Sequence, residues 1–532
     1  MPAILSLGPI LGYEAPGRYS VCCVVEAGVD AASLSLDASR GSASPAHAES
    51  LPSGRQFLRY TLDGVHEADG SGVTYRILEA GVEVESATEG GRSWTFHVPV
   101  AGIEPRLAFA SCNGFTQRPG QKELSGAERS EGGNWGQWDE LNADHSDEPM
   151  ALLILGGNQV YSDALFTEQQ EAPALFEWLE LSIDKRCSRA FSELMRGQLE
   201  RCFEDFYMRQ WAYPAVAEAM ARIPSVMMWD DHDIIDGWGS YERIGESDVM
   251  KGLFEVAERM FSTFQLRLRG RNQAMLEPAS RHHSWAVQLG THLVLGLDHR
   301  TCRTVSQVMD GVQWRDVDKW LAANVAGGLP AGVENLHVLS PVPVVYRNFD
   351  KAEAVFRNTE WFRREDDPTS LEDDVRDHWM HRKHEAERSR LIKTLLDSIG
   401  RSRTTARGVR RATILSGDVH LACVGSIRSD DGVQIHQVVS SGIVHPSPNF
   451  AEWLAVRASS TDCDQLLEGG TVRVRTEQII GQDVKFVRHR NYVLMHVRDK
   501  TPTLYVFWKF ETRPGGEPDI GMWVVGDMGP SI

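Results

Sequence analysis

Hydrophobic and polar residues alternate in two different rhythms along the 532-residue chain. Up to about residue 104, short β-branched and aromatic runs are separated by Gly, Ser and Asp turns. These runs are "YSVCCVVEA", "RQFLRYTLDG", "GVTYRILEAG" and "SWTFHVPVAG", and "GSASPAHAESLPSG" is predicted to be a loop. Short strands at this spacing are typical of a β-sandwich, so residues 1–104 are predicted to form a small all-β domain.

From about residue 105, apolar runs alternate with longer stretches of helical character. This alternation predicts an α/β layered domain over residues 105–450. Its predicted strands are "RLAFASC", "ALLILGG", "SVMMWDD", "THLVLGLD", "NLHVLSPVPVV" and "ATILSGD". Its predicted helices include "SRAFSELMRGQLERCFEDFYMRQWA" and "LEDDVRDHWMHRKHEAERSRLIKTLLDSI". Residues 451–532 are interpreted as strands and a cap that complete the same domain.

Composition narrows the classes of function. With 42% hydrophobic residues the chain can bury a substantial core, and its formal net charge of −19 disfavours binding to nucleic acid or anionic membranes. The eight cysteines include no CxxC pair, and no run of about 18 apolar residues is present. The N-terminal stretch has no basic segment typical of a signal peptide. We therefore predict free thiols and a cytoplasmic location, and a small anionic substrate only where the site itself carries positive charge.

Ionisable side chains collect where the predicted strands end, which is where α/β domains bind ligands. The strand ends are "FASCNGF" (Cys112, Asn113), "GGNQVYSD" (Asn158, Tyr161, Asp163), "MMWDDHDIIDGWGSY" (Asp230, Asp231, His232, Asp233, Asp236), "LDHRTCR" (Asp298, Arg300, Arg303) and "LSGDVHLACVG" (Asp418, His420). Taken singly, each aspartate is typical of a turn or helix cap, and a lone cysteine is typical of a buried apolar position. Together they offer thiolate, phenolate, carboxylate and imidazole. That mixture suits a trivalent or borderline metal beside a harder, oxygen-bound one.

The ordered motifs "ASCN", "GGxQxYxD", "WDDHD", "LDxR" and "SGDVH" resemble those of the PhoD-like alkaline phosphatases. These enzymes belong to the metallophosphoesterase superfamily, and their site is similar to that of purple acid phosphatases. The resemblance spans residues 105–445. It implies a four-layer αββα sandwich with an N-terminal Ig-like domain, and hydrolysis of phosphate monoesters, diesters or triesters by a metal-activated hydroxide. The implied cofactor is a dinuclear or multinuclear centre of Fe³⁺ with Ca²⁺, or with Zn²⁺ or Mn²⁺ as second metal.

The resemblance also implies a set of metal ligands. They are Cys112, Tyr161 and His420 for iron, Asp231 and Asp418 for the second metal, and Asn158 as the bridge. The family has an aspartate at the position of Asn158, where an anionic two-oxygen bridge offsets the repulsion between two close cations. Because an amide is neutral, weak metal occupancy and low activity are predicted. Two explanations are open for Asn158. The exchange is either engineered to trap a substrate, which the intact neighbouring residues of the motif favour, or it is natural. The alternative function is a catalytically weak protein that binds a phosphorylated ligand.

The predicted catalytic residues are His232 and Arg300. His232 would stabilise the phosphoryl group or protonate the leaving alcohol, whereas Arg300 would bind phosphate or merely pair with Asp298. Three further aspartates are expected to support these groups rather than to bind metal directly. They are Asp163 on the second-motif loop, and Asp233 and Asp236 beside His232. Asp233 and Asp236 are also compatible with simply starting the following loop.

Several other positions carry weaker expectations. Histidines at 378, 381 and 384 are predicted to lie on a solvated helix rather than to form a metal-binding face, and Trp229 and Trp238 to serve packing rather than substrate stacking. His445 either lines the mouth of a cleft or sits in a turn. Ser340 or Pro341 occupies a strand end where the superfamily often has a histidine ligand, and this vacancy suits Ca²⁺. Gly156 and Gly157 are expected to let the backbone approach the ions.

Overall fold

The structure is a computed structural model. It describes residues 4–66, 72–100, 102–116, 136–167, 169–267, 274–348, 377–448, 450–498, 502–511 and 518–529.

The described strands are β1 (Ile4–Ala15), β2 (Arg18–Val25), β3 (Leu34–Ala38), β4 (Ser42–Ala43), β5 (His47–Ser50), β6 (Gln56–Asp63), β7 (Gly72–Glu79), β8 (Val82–Glu83), β9 (Glu85–Ser86), β10 (Trp94–His97), β11 (Leu107–Ala110), β12 (Leu152–Gly156), β13 (Ser225–Met228), β14 (Trp285–Leu289), β15 (His292–Gly296), β16 (Asn335–Leu339), β17 (Arg411–Ser416), β18 (Cys423–Ser429), β19 (Gln434–Val439), β20 (Asp464–Leu467), β21 (Val472–Glu477), β22 (Asn491–Val497), β23 (Leu504–Phe510) and β24 (Asp519–Val525).

The described α-helices are α1 (Gly136–Asp147), α2 (Ala164–Thr167), α3 (Pro173–Leu179), α4 (Ile183–Ser188), α5 (Glu193–Gln210), α6 (Pro214–Arg222), α7 (Asp248–Phe264), α8 (Gly311–Leu321), α9 (Glu385–Ser402) and α10 (Phe450–Ser459). Short 3-10 turns cover Ala31–Ser33, Asp231–Asp233, Ile244–Glu246 and Glu468–Gly470, and a π-turn covers Ala322–Ala326. No helix among the residues that the structure describes combines the length and the hydrophobicity needed to cross a bilayer.

Three parallel strands, β11, β12 and β13, form the centre of the first large sheet. Its order is β24-β23-β22-β11-β12-β13-β1-β2-β6-β4, with β9 paired to β1 and β5 paired to β6. Every residue of the three central strands is buried. Strands covered on both faces have continuous apolar sequences, which explains the runs at these positions. Because β11, β12 and β13 are parallel, their carboxyl ends meet at one edge of the sheet.

The second large sheet has the order β14-β15-β16-β17-β19-β18-β21-β20. Alternate residues of its parallel strands enter two different cores. Leu339 and Leu415 belong to the core shared with the first sheet, whereas Val338 and Ile414 belong to a second core that contains residues of α8 and α9. One face of the second sheet therefore packs toward the first sheet, and the other face packs toward helices.

The predicted strands of the α/β region are confirmed as β11, β12, β13, β15, β16 and β17, and the strands predicted after residue 450 complete both sheets. The prediction of one loop over residues 41–54 is wrong in part, because Ser42–Ala43 and His47–Ser50 pair with β6. The strand Ile4–Ala15 was not predicted. It pairs with β2 and, at Gly12↔Ser225, with β13. The domain boundary at residue 104 stays a prediction.

The histidines at 378, 381 and 384 do not lie on a solvated helix, and that prediction is wrong. Helix α9 begins at Glu385, and all three histidines lie in turns before it. His381 and His384 are buried. The preceding Asp377 is paired with a buried arginine, which draws this segment into the protein. Residues 371–376 of the predicted helix lie outside the described residues.

Candidate metal centre

Tight turns after β11, β12 and β17 carry four of the predicted metal ligands. Cys112, Asn158, Asp418 and His420 have φ angles of 53°, 55°, 68° and 44°. Such left-handed conformations are uncommon outside glycine and cost about 1–3 kcal/mol each. Neighbouring turns hold them in place, since the Cys112 N–H donates to the Gly157 carbonyl at 3.2 Å. Backbone strain is thus concentrated at the positions that the sequence motifs indicate.

Three carboxylates from two sheets meet between these turns. One oxygen from each of Asp230, Asp231 and Asp418 lies within 4.8 Å of the others, and we call this group the carboxylate trio. Among the described residues, Asp230 Oδ2 and Asp231 Oδ1 are buried without a hydrogen-bond partner. Burial and then repulsion from Asp230 and Asp231 raise the pKa of Asp418 well above its usual range. Burial likewise raises the pKa of Asp230 to about 7, although Arg300 opposes the rise. A bound cation would remove both penalties.

Cys112 and Tyr161 form a second set of potential ligands beside the trio. Both side chains are buried, and the Tyr161 hydroxyl interacts with the Cys112 thiol. Burial raises the pKa of the Cys112 thiol to about 12, and the charge of Asp418 adds to the rise. Burial and then the neighbouring Cys112 raise the pKa of Tyr161 well above its usual range. A thiol and a phenol side by side suit a trivalent or borderline metal, which would deprotonate both.

His420 is connected to Tyr161 through the ring of His445. It stacks on His445 with ring centroids 3.6 Å apart, and His445 stacks on Tyr161 at 5.4 Å. His445 lies in a turn and is half-buried, and its place at the mouth of a cleft stays a prediction.

His232 lies between two carboxylates. Its Nδ1 is 3.1 Å from Asp163 Oδ2, and its Nε2 is 3.7 Å from Asp236 Oδ1. Burial lowers the pKa of His232, but Asp163, Asp231 and Asp236 raise it more, and the net pKa is well above its usual range. The His232 backbone N–H also donates to Asn158 Oδ1 at 3.2 Å. The predicted catalytic histidine is therefore held beside the predicted bridge by two carboxylates that favour its charged form.

Asp233 holds the second motif in place. Its two oxygens accept hydrogen bonds from the backbone N–H groups of Asn158 (2.9 Å), Gln159 (3.0 Å), Val160 (3.0 Å) and Asp230 (2.8 Å), and from Gln265 Nε2 (2.8 Å). Burial raises the pKa of Asp233 to about 6, although these hydrogen bonds oppose the rise. The sequence indicated a supporting role for this residue, but not that it organises the Asn158 loop.

Arg300 is wholly buried and its guanidinium is engaged on several sides. Nε donates to Asp230 Oδ1, and Nη1 and Nη2 donate to the two oxygens of Asp377 at 2.7 Å each. The expected pairing of the Arg300 side chain with Asp298 is wrong. It is the backbone N–H of Arg300 that donates to Asp298 Oδ1, at 2.9 Å. Contact between Arg300 and phosphate stays a prediction. Sequence reasoning missed Asp377, which stands in a charged run with no motif to mark it.

The remaining expectations concern packing. Trp229 stacks on Phe261 at 4.3 Å and Trp238 on Phe254 at 5.2 Å, which confirms the packing role. The Ser340 hydroxyl donates within its own loop, to the Val342 carbonyl at 2.7 Å.

The glycines of the second motif make room for side chains. A Cβ at Gly156 would lie 2.5 Å from Phe109, and one at Gly157 would lie 2.7 Å from the Asp230 Cβ. Gly157 has φ +101° as well. The second glycine therefore allows the close approach of Asp230 to the turn that carries Asn158.

Comparison with known proteins agrees with this geometry. The family described as PhoD related phosphatase matches residues 95–365 and 367–459, and the chain belongs to that family. An uncharacterised protein of Saccharomyces cerevisiae, YGR266W, is 26% identical over 404 residues, which are 65% of this chain and 54% of the yeast protein. The chain thus spans about half the length of that relative. A solved structure of PhoD is 12% identical and has a TM-score of 0.55, covering 99% of this chain and 91% of that one. This likeness supports the mixed α/β fold.

Proposed function

We propose that this protein hydrolyses small phosphate esters at a dinuclear metal centre. The observation that carries the proposal is the carboxylate trio, in which the carboxylates repel one another and two buried oxygens have no hydrogen-bond partner among the described residues. Cys112, Tyr161 and His420 would hold Fe³⁺. Asp231 and Asp418 would hold Ca²⁺, or Zn²⁺ or Mn²⁺, with Asp230 beside them. Bound metals would supply a water of lowered pKa and positive charge for the phosphoryl oxygens.

The protein's own groups would complete the reaction. His232, held between Asp163 and Asp236, which favour its charged form, would protonate the leaving alcohol or stabilise the charge of the phosphoryl group. Arg300 fixes one oxygen of Asp230 and so leaves the other free to face a cation. Monoesters, diesters and triesters all remain within this proposal.

Asn158 is proposed to weaken the centre. Its Oδ1 accepts the His232 N–H, so Nδ2, which cannot bind a cation, takes the place of the second carboxylate oxygen. Its amide adds no charge to offset the repulsion between two metals. We therefore expect partial metal occupancy in the chain as it stands, whether the exchange is engineered or natural.

The finer architecture is also proposed. The division of residues between two cores on the faces of the second sheet supports a four-layer αββα arrangement for the catalytic region. The β-rich residues 1–104 are proposed to include an Ig-like unit.

The decisive experiment restores the carboxylate. In Asn158→Asp, the missing anionic oxygen should raise bound metal toward two ions per chain and increase turnover of a chromogenic phosphate ester by about 100-fold or more. Metal analysis and assays with mono-, di- and triester substrates measure the two effects. Asn324→Asp is the matched control, since it adds the same charge at a half-buried helical position away from the site. It should change neither quantity.

A second candidate function is binding of a phosphorylated ligand without efficient turnover. It is favoured by one observation: Asn158 Nδ2 is buried with no hydrogen-bond partner among the described residues, and an amide donor can bind phosphate oxygen. Asn158→Asp should then weaken binding of a non-hydrolysable phosphonate and gain no activity. Bound metal together with hydrolysis in this variant would eliminate the binding-only function. Absence of both would contradict the enzyme proposal.

A further inference from the structure

We propose that His445 is a positioning residue that sets the orientation of Tyr161 and His420 toward the metal. This inference rests on the proposed function. Four rings form a continuous stack across the centre. His232 and Tyr161 have centroids 4.3 Å apart at 27°, Tyr161 and His445 are 5.4 Å apart at 23°, and His445 and His420 are 3.6 Å apart at 9°. His445 contacts both of the rings expected to bind iron.

Hydrogen bonds fix the tilt of the His445 ring. Nδ1 lies 2.8 Å from the Pro446 carbonyl oxygen, which can only accept, so Nδ1 carries a proton and donates. Nε2 lies 3.1 Å from the hydroxyl of Thr116. Because both nitrogens are engaged by protein groups, His445 acts through the faces of its ring rather than as a metal ligand.

The backbone beside His445 reaches the third expected iron ligand. Ile443 N–H donates to the Ser111 carbonyl at 2.9 Å, and the N–H groups of Val444 and His445 share the Cys112 carbonyl at 3.3 and 3.1 Å. These bonds hold the strained Cys112 turn against the segment that carries His445. One short segment therefore links the thiol, the phenol and the imidazole that would surround the ion.

Groups that orient metal ligands are worth about 10–100-fold in metal affinity or activity when removed. His445→Ala deletes both stacking faces, so Tyr161 and His420 gain rotational freedom that metal binding must then remove. His445→Phe keeps an aromatic face but loses the two hydrogen bonds. The ring contact predicts that His445→Phe retains more of the wild-type behaviour than His445→Ala.

The first test uses the metal-loaded protein in the Asn158→Asp background. His445→Ala should lower iron affinity about 10-fold or more and shift the visible phenolate-to-iron absorption band, while His445→Phe should be intermediate. Cys112→Ala and Tyr161→Phe identify the band, because each removes an expected ligand. His496→Ala is the matched control: its ring stacks on Phe507 at 5.6 Å on strands away from the centre. An unmoved band and unchanged affinity in His445→Ala would overturn the inference and leave the proposed function standing.

The second test needs no metal. With 3-fluorotyrosine placed at position 161, the fluorine resonance of the metal-free protein should move toward that of free fluorotyrosine in His445→Ala, and largely return in His445→Phe. A resonance that is the same in wild type and His445→Ala overturns the inference, whatever the metal content. If the fluorine shift occurs but no variant binds metal, the ring contact is supported and the proposed function is the part that fails.

Discussion

Two kinds of buried aspartate lie within the same region of the protein. Asp233 and Asp298, which we call the anchor aspartates, have their oxygens occupied by protein donors. Asp298 accepts from Trp229 Nε1 at 2.9 Å and from the His283 N–H at 2.8 Å. Asp230 of the carboxylate trio is equally buried, yet two oxygens of the trio have no hydrogen-bond partner among the described residues.

The difference teaches that burial alone does not mark a functional carboxylate. Burial would raise the pKa of Asp298, but the charge of His283 and several hydrogen bonds hold that pKa at about 2. The pKa values of Asp298 and Asp230 therefore move in opposite directions, whereas the pKa of Asp233 is raised to about 6 even though its oxygens are occupied. The hydrogen bonds to the anchors come from the protein itself, whereas under the proposed function a cation would complete the trio.

The largest effect should come from removing an anchor. Asp233→Ala would leave four backbone N–H groups and one amide without their acceptor, and each buried unsatisfied donor costs about 1–3 kcal/mol. We expect the free energy of unfolding of the metal-free protein to fall by at least about 4 kcal/mol, measured by urea denaturation. Asp397→Ala, at an exposed helical ion pair, should change it by less than about 1 kcal/mol. If Asp233→Ala lowered the free energy of unfolding no more than Asp397→Ala does, the distinction between anchor aspartates and the trio would be contradicted.

Removing a carboxylate of the trio should raise, rather than lower, the free energy of unfolding of the metal-free protein. Asp418→Asn keeps the shape of the side chain and is neutral without taking up a proton, so near pH 7 the metal-free protein should gain about 1–2 kcal/mol of stability. The same variant should bind less metal. Urea denaturation with chelator and metal analysis without it provide the two readouts. Destabilisation of the metal-free protein by Asp418→Asn would show that this carboxylate is an anchor too.

The smallest effect is the pH dependence of stability. The pKa of Asp230 rises from an ordinary 3.8 to about 7 in the folded protein, so the native state binds more protons than the unfolded chain between these values. Its contribution therefore falls as pH rises from about 4 to 7. For Asp298 the folded pKa is about 2, and its contribution is lost only as pH falls below about 4. In metal-free protein, the stability lost between pH 4 and 7 should be smaller in Asp418→Asn by about 1 kcal/mol. Equal slopes would contradict the charge repulsion within the trio.

Local patterns were sufficient to predict the central strands and their polar ends. Strands buried on both faces have continuous apolar runs, and "WDDHD" places four ionisable residues in one turn. They were not sufficient for β1, because Gly8 and Pro9 interrupt its apolar run, and its pairing with β13 joins segments more than two hundred residues apart. The same limit applies to Asp377, whose partner Arg300 is distant in sequence.

The roles within a motif were harder to predict than its presence. Asp230, Asp231 and Asp233 are neighbours in sequence, and only the three-dimensional hydrogen bonds separate the organiser of a loop from the members of the trio. His445 had no motif to indicate its place, since its contacts are with rings from other strand ends. Sequence spacing reports which residue types are available, whereas donor and acceptor geometry decides what each one does.

The strand order of the first sheet has a consequence for how the protein is made. β11 pairs on one side with β12 and on the other with β22, at Leu107↔Met495, so its second neighbour leaves the ribosome long after it does. During that interval an apolar parallel strand exposes an open edge, which is the kind of surface that recruits chaperones or aggregates. Pairings of such long range also form slowly. The order of synthesis therefore places the greatest risk of misfolding on the strand that leads directly to Cys112.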